Sequence, residues 1–160
     1  MLHVDIICVG RVKEKYIKAG MSEYLKRLSA YAKVSIQEVA DEATKEQMTD
    51  TEIEQLLEQE AERIEKKLNK QSKVFVLAIE GDLITSEDLA KSMNQFATYG
   101  HSHISFIIGG SLGLAEKLKK SSDKAISFGR ITLPHQLIRL VLIEQIYRSF
   151  RIINNHAYHK

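Results

Sequence analysis

The residues best suited to chemistry lie at three glycine-bearing turns and in the last six positions of this 160-residue chain. Asn155-His156-Ala157-Tyr158-His159-Lys160 brings two imidazoles, a phenol and an ammonium together, just after a strongly apolar segment. Imidazole and phenol can take or give a proton, and an ammonium can hold a developing anion. Pro134-His135-Gln136 opens the same apolar segment. The turns are Glu80-Gly81, Gly109-Gly110-Ser111-Leu112-Gly113 and Phe128-Gly129-Arg130. Glycine there lets a ligand approach the main chain and meet free N–H groups.

The spacing excludes several chemistries. Gly109 to Leu114 does not match G-x-G-x-x-G, and no Gly-Lys-Ser/Thr follows. Nicotinamide and nucleoside triphosphate sites therefore lose support. A ligand held by backbone, without a pyrophosphate, fits better; a plain strand-to-helix turn is the competing reading. His101 and His103 fall on one face of a strand, but no third ligand accompanies them, nor does one accompany His156 and His159. No metal is expected. No G-x-S-x-G elbow is present, so a hydrolase triad is not suggested. Cys8 sits among apolar residues and reads as a buried, inert thiol suited to a reducing compartment.

These residues need a scaffold, and the hydrophobic pattern supplies one. Strands are expected at His3–Val9, Val34–Val39, Val74–Ile79, Ile104–Ile108 and Ala125–Phe128. Helices are expected at Lys13–Tyr31, Thr49–Leu68, Glu87–Thr98 with Thr85 or Ser86 as cap, Leu112–Lys120, and Pro134 or His135 to Ile153. The alternation predicts one α/β domain over residues 1–160, a parallel-rich sheet with helices on both faces. Ligands of such sheets bind beyond the carboxyl ends of the strands, where the three turns fall. The last helix is apolar around nearly its whole circumference, from Leu137 to Phe150. Such a helix must be buried on more than one side, between two subunits or at the centre of one domain; a homodimer is the simpler expectation.

Charge is unevenly spread about a net +2. Residues 11–33 hold seven basic and two acidic side chains, residues 41–65 two and ten, and residues 117–160 nine and two. If the basic segments meet, they form a face suited to a polyanion; separately, they are solvated helix faces. No apolar run is long enough for a membrane helix, and Met1-Leu2-His3-Val4-Asp5 lacks the pattern of a signal peptide, so a cytoplasmic protein is expected.

Several stretches together resemble one family. Val9-Gly10-Arg11-Val12-Lys13-Glu14-Lys15-Tyr16 resembles the V-G-K-L-K-E-K-Y opening of the ribosomal large-subunit methyltransferase H family. Ile107-Ile108-Gly109-Gly110-Ser111-Leu112-Gly113 is similar to its I-G-G-S-x-G loop. Leu133-Pro134-His135-Gln136 and Leu142-Ile143-Glu144-Gln145-Ile146-Tyr147-Arg148 resemble its final helix, with P-H-Q and E-Q-x-Y-R. Asn155-His156-Ala157-Tyr158-His159-Lys160 is similar to its N-H-P-Y-H-R/K ending.

The resemblance implies a SPOUT-class fold with a C-terminal trefoil knot, a rare exception to unknotted connectivity. It implies a homodimer that moves a methyl group from S-adenosylmethionine to N3 of a pseudouridine in helix 69 of 23S ribosomal RNA, within assembled ribosomes. The knot loops would be Leu77–Gly81, Gly109–Gly113 and Phe128–Leu133. Leu77, Gly109, Phe128, Gly129, Arg130, Ile131, Thr132 and Leu133 would contact the cofactor. His135, Arg148, Tyr158, His159 and Lys160 would be the candidates for the proton or anion at the base, in the order His159, then Tyr158 and Lys160, with His135 also capping the last helix and lining the cofactor loop. Arg11, Lys13, Arg148 and Arg151 would hold RNA. Ala157 departs from the family's proline, and Ala40 and Thr44 stand where relatives often have prolines. Losing one proline adds unfolded-state freedom of about 0.4–1 kcal/mol, so the tail is expected to order on RNA. The alternatives are a non-catalytic SPOUT-like RNA- or ribosome-binding protein and a related tRNA methyltransferase.

Overall fold

The computed structural model describes residues 1–160. Five strands form one sheet: β1 (Leu2–Val9), β2 (Ala32–Val39), β3 (Lys73–Leu83), β4 (His103–Ile108) and β5 (Lys124–Ser127). Their order is β2-β1-β4-β3-β5, and every pairing is parallel. Five helices connect or follow them: α1 (Lys15–Leu28), α2 (Asp50–Lys67), α3 (Ser86–Thr98), α4 (Glu116–Ser121) and α5 (His135–Ile153). The expected α/β class and element order are found.

Both sheet faces are covered, which explains the nearly continuous apolar strands. On β1, Val4, Ile6 and Cys8 enter one core with α1, α3 and α5. Ile7 and Val9 enter the other, with Ala61 and Ile64 of α2 and Leu118 of α4. Phe75 and Phe106 stack across β3 and β4 with ring centroids 4.8 Å apart. Two helices start on complete capping boxes, Thr49 with Glu52 and Thr85 with Asp88; these satisfy backbone donors that the first turn leaves free.

Several boundaries differ from the pattern-based expectation. β3 runs past Ile79 to Leu83 through an irregularity at which Leu77 and Asp82 both align with Ile126. Gly81 permits it: a Cβ there would lie 2.8 Å from the Ala125 main chain. α4 starts at Glu116 rather than Leu112, because Gly113 adopts φ +86° and the chain turns back to bridge Gly110. α1 starts at Lys15, after an extended loop.

That loop is tied down by α5. Gln136 Oε1 accepts from Lys13 N at 2.9 Å and Glu14 N at 3.5 Å. Arg139 is 0% exposed; its guanidinium donates to Val9 O (3.1 Å), Gly10 O (2.9 Å) and Glu38 Oε2 (2.7 Å). The same carboxylate oxygen accepts from Val12 N at 2.9 Å. α5 lies between α1 and α3 on the sheet, with no residue of the helix in the exposed class. The same chain thus fills both flanks, so the apolar circumference does not by itself demand a second subunit. Arg139→Ala should cost about 3–5 kcal/mol, because it strands buried carbonyls and a carboxylate. Glu38→Gln, which keeps the carbonyl partners, should cost about 1–3 kcal/mol. Urea unfolding at neutral pH measures both.

Candidate active site

An open cleft of about 870 Å³ lies beyond the carboxyl ends of β3, β4 and β5. Leu77, Gly109, Phe128, Gly129, Ile131, Thr132, Leu133 and His135 all line it, together with Ile108, Leu112 and Ile138. Residues distant in sequence thus converge on one mostly apolar wall. The glycines shape it: a Cβ on Gly109 would collide with the Gly113 carbonyl, and Gly129 holds φ +138°. Glu80 and Lys119, ion-paired to each other, are the full charges on its wall. No unpaired cation waits for a phosphate. The lining therefore suits a largely apolar ligand held without cations, and the turns offer main-chain groups to it.

Arg130 is placed differently from its neighbours. Its guanidinium turns from the cleft and donates to the carbonyls of Ile79 and Gly81 and to Ser127 Oγ. It ties the 128–134 loop to the β3 irregularity and so shapes the cleft from behind. His135 lines the cleft but does not cap α5, whose N-cap is Pro134 without a side-chain bond. Burial, then the Arg139 charge, hold the His135 imidazole below its ordinary pKa, against an opposing pull from Asp41. That shift favours the neutral imidazole.

None of residues 154–160 lines this cleft. The segment folds back on α5 and α3 instead. Asn155 takes φ +55° at the reversal. Tyr158 donates its hydroxyl to Glu144 at 3.1 Å and packs edge-on to Tyr147. Burial, with hydrogen bonds to Tyr24 and Glu144, pushes the Tyr158 phenol up to about 12. His159 lies between Glu87 Oε1 (2.5 Å from Nε2) and Arg148 Nη1 (3.2 Å from Nδ1). A carboxylate only accepts and a guanidinium only donates, so Nε2 carries the proton and Nδ1 accepts. The tail carries Ala157 and is seated by these side-chain contacts. Lys160 is exposed and forms no ion pair.

The expected RNA contacts divide in two. Arg11 and Lys13 are exposed and unpaired on the loop beside His135. Arg148 pairs with Glu144 at 2.9 Å, and Arg151 donates to Tyr31 Oη and Ala157 O. The basic segments do meet, since α1 and α5 are neighbours, whereas acidic α2 covers the opposite face. Part of the last segment's charge is spent elsewhere, as Lys117 bonds Glu58 of α2. Of the histidines, His103 stacks on His3 at 4.6 Å while His101 abuts Phe96. The Cys8 thiol is buried and pushed up to about 12.

Sequence reasoning did not single out Arg139, Glu38, Glu144, Glu87 or Glu60. Arg139 carried a usable signal, a charge inside a helix apolar all round. Glu38 and Glu87 find their partners far along the chain, whereas Glu144 lies in the quoted E-Q-x-Y-R stretch with Arg148 four residues on.

Comparison with known proteins decides the family. A family model described as "Predicted SPOUT methyltransferase" matches residues 2–159. The chain belongs to the SPOUT methyltransferases. Within them it falls in the ribosomal RNA large subunit methyltransferase H family. Proteins of that name from Listeria welshimeri serovar 6b and Limosilactobacillus fermentum are 52% and 53% identical over 159 residues, covering 99% of this chain and 100% of each relative. The Bacillus pumilus protein of that name is 48% identical over the same span.

One residue behind the cleft gives a test of its electrostatics. Glu60 is 4% exposed and accepts from Glu42 N at 2.9 Å, close to Gly110. Burial raises its pKa, so the folded chain binds its proton more tightly than the unfolded chain. Stability from this group is then present at acid pH and lost as pH rises from the unfolded carboxylate value through the folded one. Glu60→Gln should raise Tm at pH 7 and leave it nearly unchanged near pH 4, as read by calorimetry.

Proposed function

We propose that this protein methylates N3 of a pseudouridine in helix 69 of large-subunit ribosomal RNA, using S-adenosylmethionine, and acts as a homodimer on the ribosome. The observation that carries the reading is the phosphate-free glycine cleft, lined by residues matching the family's cofactor pattern. When bound there, S-adenosylmethionine supplies an electrophilic methyl group. The chain's part is to fix geometry, which dominates an in-line displacement. Leu77, Ile108 and Phe128 would flank the cofactor, and main-chain groups of Gly109–Gly113 and 128–133 would orient it. A knotted path through these loops is part of the proposal, supported by the match to the SPOUT family.

The tail favours one role over another. Burial and its bond to Glu144 raise the Tyr158 phenol above its ordinary pKa, and both His159 nitrogens are engaged. Neither ring is therefore a free base, and the positive charge beside them comes from Arg148 and Lys160. The N3 proton would leave to solvent, and the Arg148 and Lys160 charges, placed by Tyr158 and His159, would stabilise the imide anion left behind. Glu144, the tail's anchor, lies nine residues beyond His135, about 13–14 Å along the helix. A second copy would bring a tail to a cleft its own chain leaves open, which supports the dimer.

Isothermal calorimetry should show S-adenosylmethionine binding, and light scattering should give twice the 18.2 kDa chain mass. Labelled methyl should enter ribosomes from a strain lacking the gene, at one pseudouridine located by mass spectrometry. Failure to bind the cofactor sinks the enzyme reading, and transfer to tRNA alone moves it to the tRNA class. His159→Gln should lower turnover more than tenfold and leave the shape of the pH–rate profile unchanged. A catalytic base at His159 would instead remove one limb of that profile.

A further inference from the structure

The final segment has few main-chain ties to the rest of the fold. His156 N bonds Arg151 O at 2.8 Å, and Arg151 Nη2 bonds Ala157 O at 2.8 Å. Beyond Ala157 the seat is made of side chains. Glu144 is at its centre. Its Oε1 accepts from the Tyr158 hydroxyl at 3.1 Å and from Arg148 Nη2 at 2.9 Å, and its Oε2 accepts from Gln145 Nε2 at 2.8 Å. Arg148 passes the contact on. Its guanidinium lies 4.6 Å from the Tyr158 ring centroid and reaches Nδ1 of His159. The other side of His159 meets Glu87, at the start of α3.

We infer that Glu144 is a positioning residue for methyl transfer, acting with Arg148 and Glu87 to hold Tyr158 and His159 in one orientation. This rests on the proposed function above. The physical case is the exposure of the parts. Glu144 and Arg148 keep only 19% and 24% of their side-chain surface, so their pair is shielded from water. Charge-assisted bonds in such a setting are shorter and stronger than neutral ones. Glu87 is 62% exposed and contributes less. Removing the Glu144 carboxylate altogether frees Arg148 and the Tyr158 hydroxyl, and so loosens both of the tail's anchored rings. Replacing Glu87 frees one side of one ring.

The order of effects follows. Glu144→Ala should lower kcat about 10–100-fold, while Glu87→Gln should lower it less than about tenfold. S-adenosylmethionine affinity should be unchanged in both, because neither residue lines the cleft. Combining Glu144→Ala with Tyr158→Phe should be little worse than Glu144→Ala alone, since the first change already releases the phenol. In NMR spectra the ring signals of Tyr158 and His159 should move toward random-coil positions in Glu144→Ala, with the signals of β1 and β4 unaltered. That readout needs no activity, and unaltered core signals separate tail release from a general loss of fold. Additive losses in the double variant, or unmoved tail ring signals in Glu144→Ala, would overturn the inference. If the wild-type protein binds cofactor but methylates nothing, the function reading fails, while the ring signals still decide whether Glu144 holds the tail.

Discussion

One buried guanidinium organises the end of the sheet where the candidate site lies. Arg139 is enclosed between α5 and the ends of β1 and β2, and a charge in that position is tolerated only with partners on most sides. It takes two carbonyls of β1 and its turn, and one carboxylate of β2. Those bonds fix how far α5 slides along the sheet. Gln136 adds a second tie one turn earlier, to the amides that open α1. His135 lies beside both ties, so its place on the cleft wall follows from the seating of the helix. Gly10, at φ +91°, allows the turn to bring its carbonyl to the guanidinium.

The cleft depends on the same economy. Its walls come from three turns that have no contact in sequence, and each turn is shaped by main chain rather than by bulky side chains. Gly81 lets β3 rejoin the sheet beside β5, and Gly113 reverses the chain after β4. Arg130 then locks the third turn to the first. A cleft built this way presents amides and carbonyls at fixed positions, which suits a ligand recognised by shape and hydrogen bonds. It offers no free positive charge, because Lys119 is committed to Glu80.

Much of this was legible in the sequence because local rules govern it. Ten elements follow from apolar period and from capping residues such as Thr49 and Thr85, and the turns that line the cleft are marked by glycine. The parts that were not legible are set by distant pairing. The extension of β3 depends on how Gly81 meets Ala125, forty-odd residues away. The apolar circumference of α5 suggested a subunit boundary, yet α1 and α3 already cover its flanks. Arg148 and Arg151 read as free cations on a basic segment, and only the fold shows the groups that occupy them. The expectation about tail order weighed one missing proline against the unfolded chain alone, whereas Glu144, Arg148 and Glu87 act on the folded one.

This division of the cations has a consequence for how a polyanion would meet the molecule. Arg139, Arg148 and Arg151 serve internal contacts, so the long-range positive field must come from elsewhere. Arg11, Lys13, Lys15 and Lys18 remain exposed and unpaired on the loop and first turns of α1. They lie on the side of the fold away from acidic α2, next to the helix that starts at the cleft. Phosphate contacts steer and orient without reading sequence. Under the proposed function, a small domain so arranged would attract RNA broadly through α1 and leave discrimination to the shape of the cleft and the seated tail. Selectivity for one base would then rest on positioning at the site, where the internal arginines hold α5 and the tail in place.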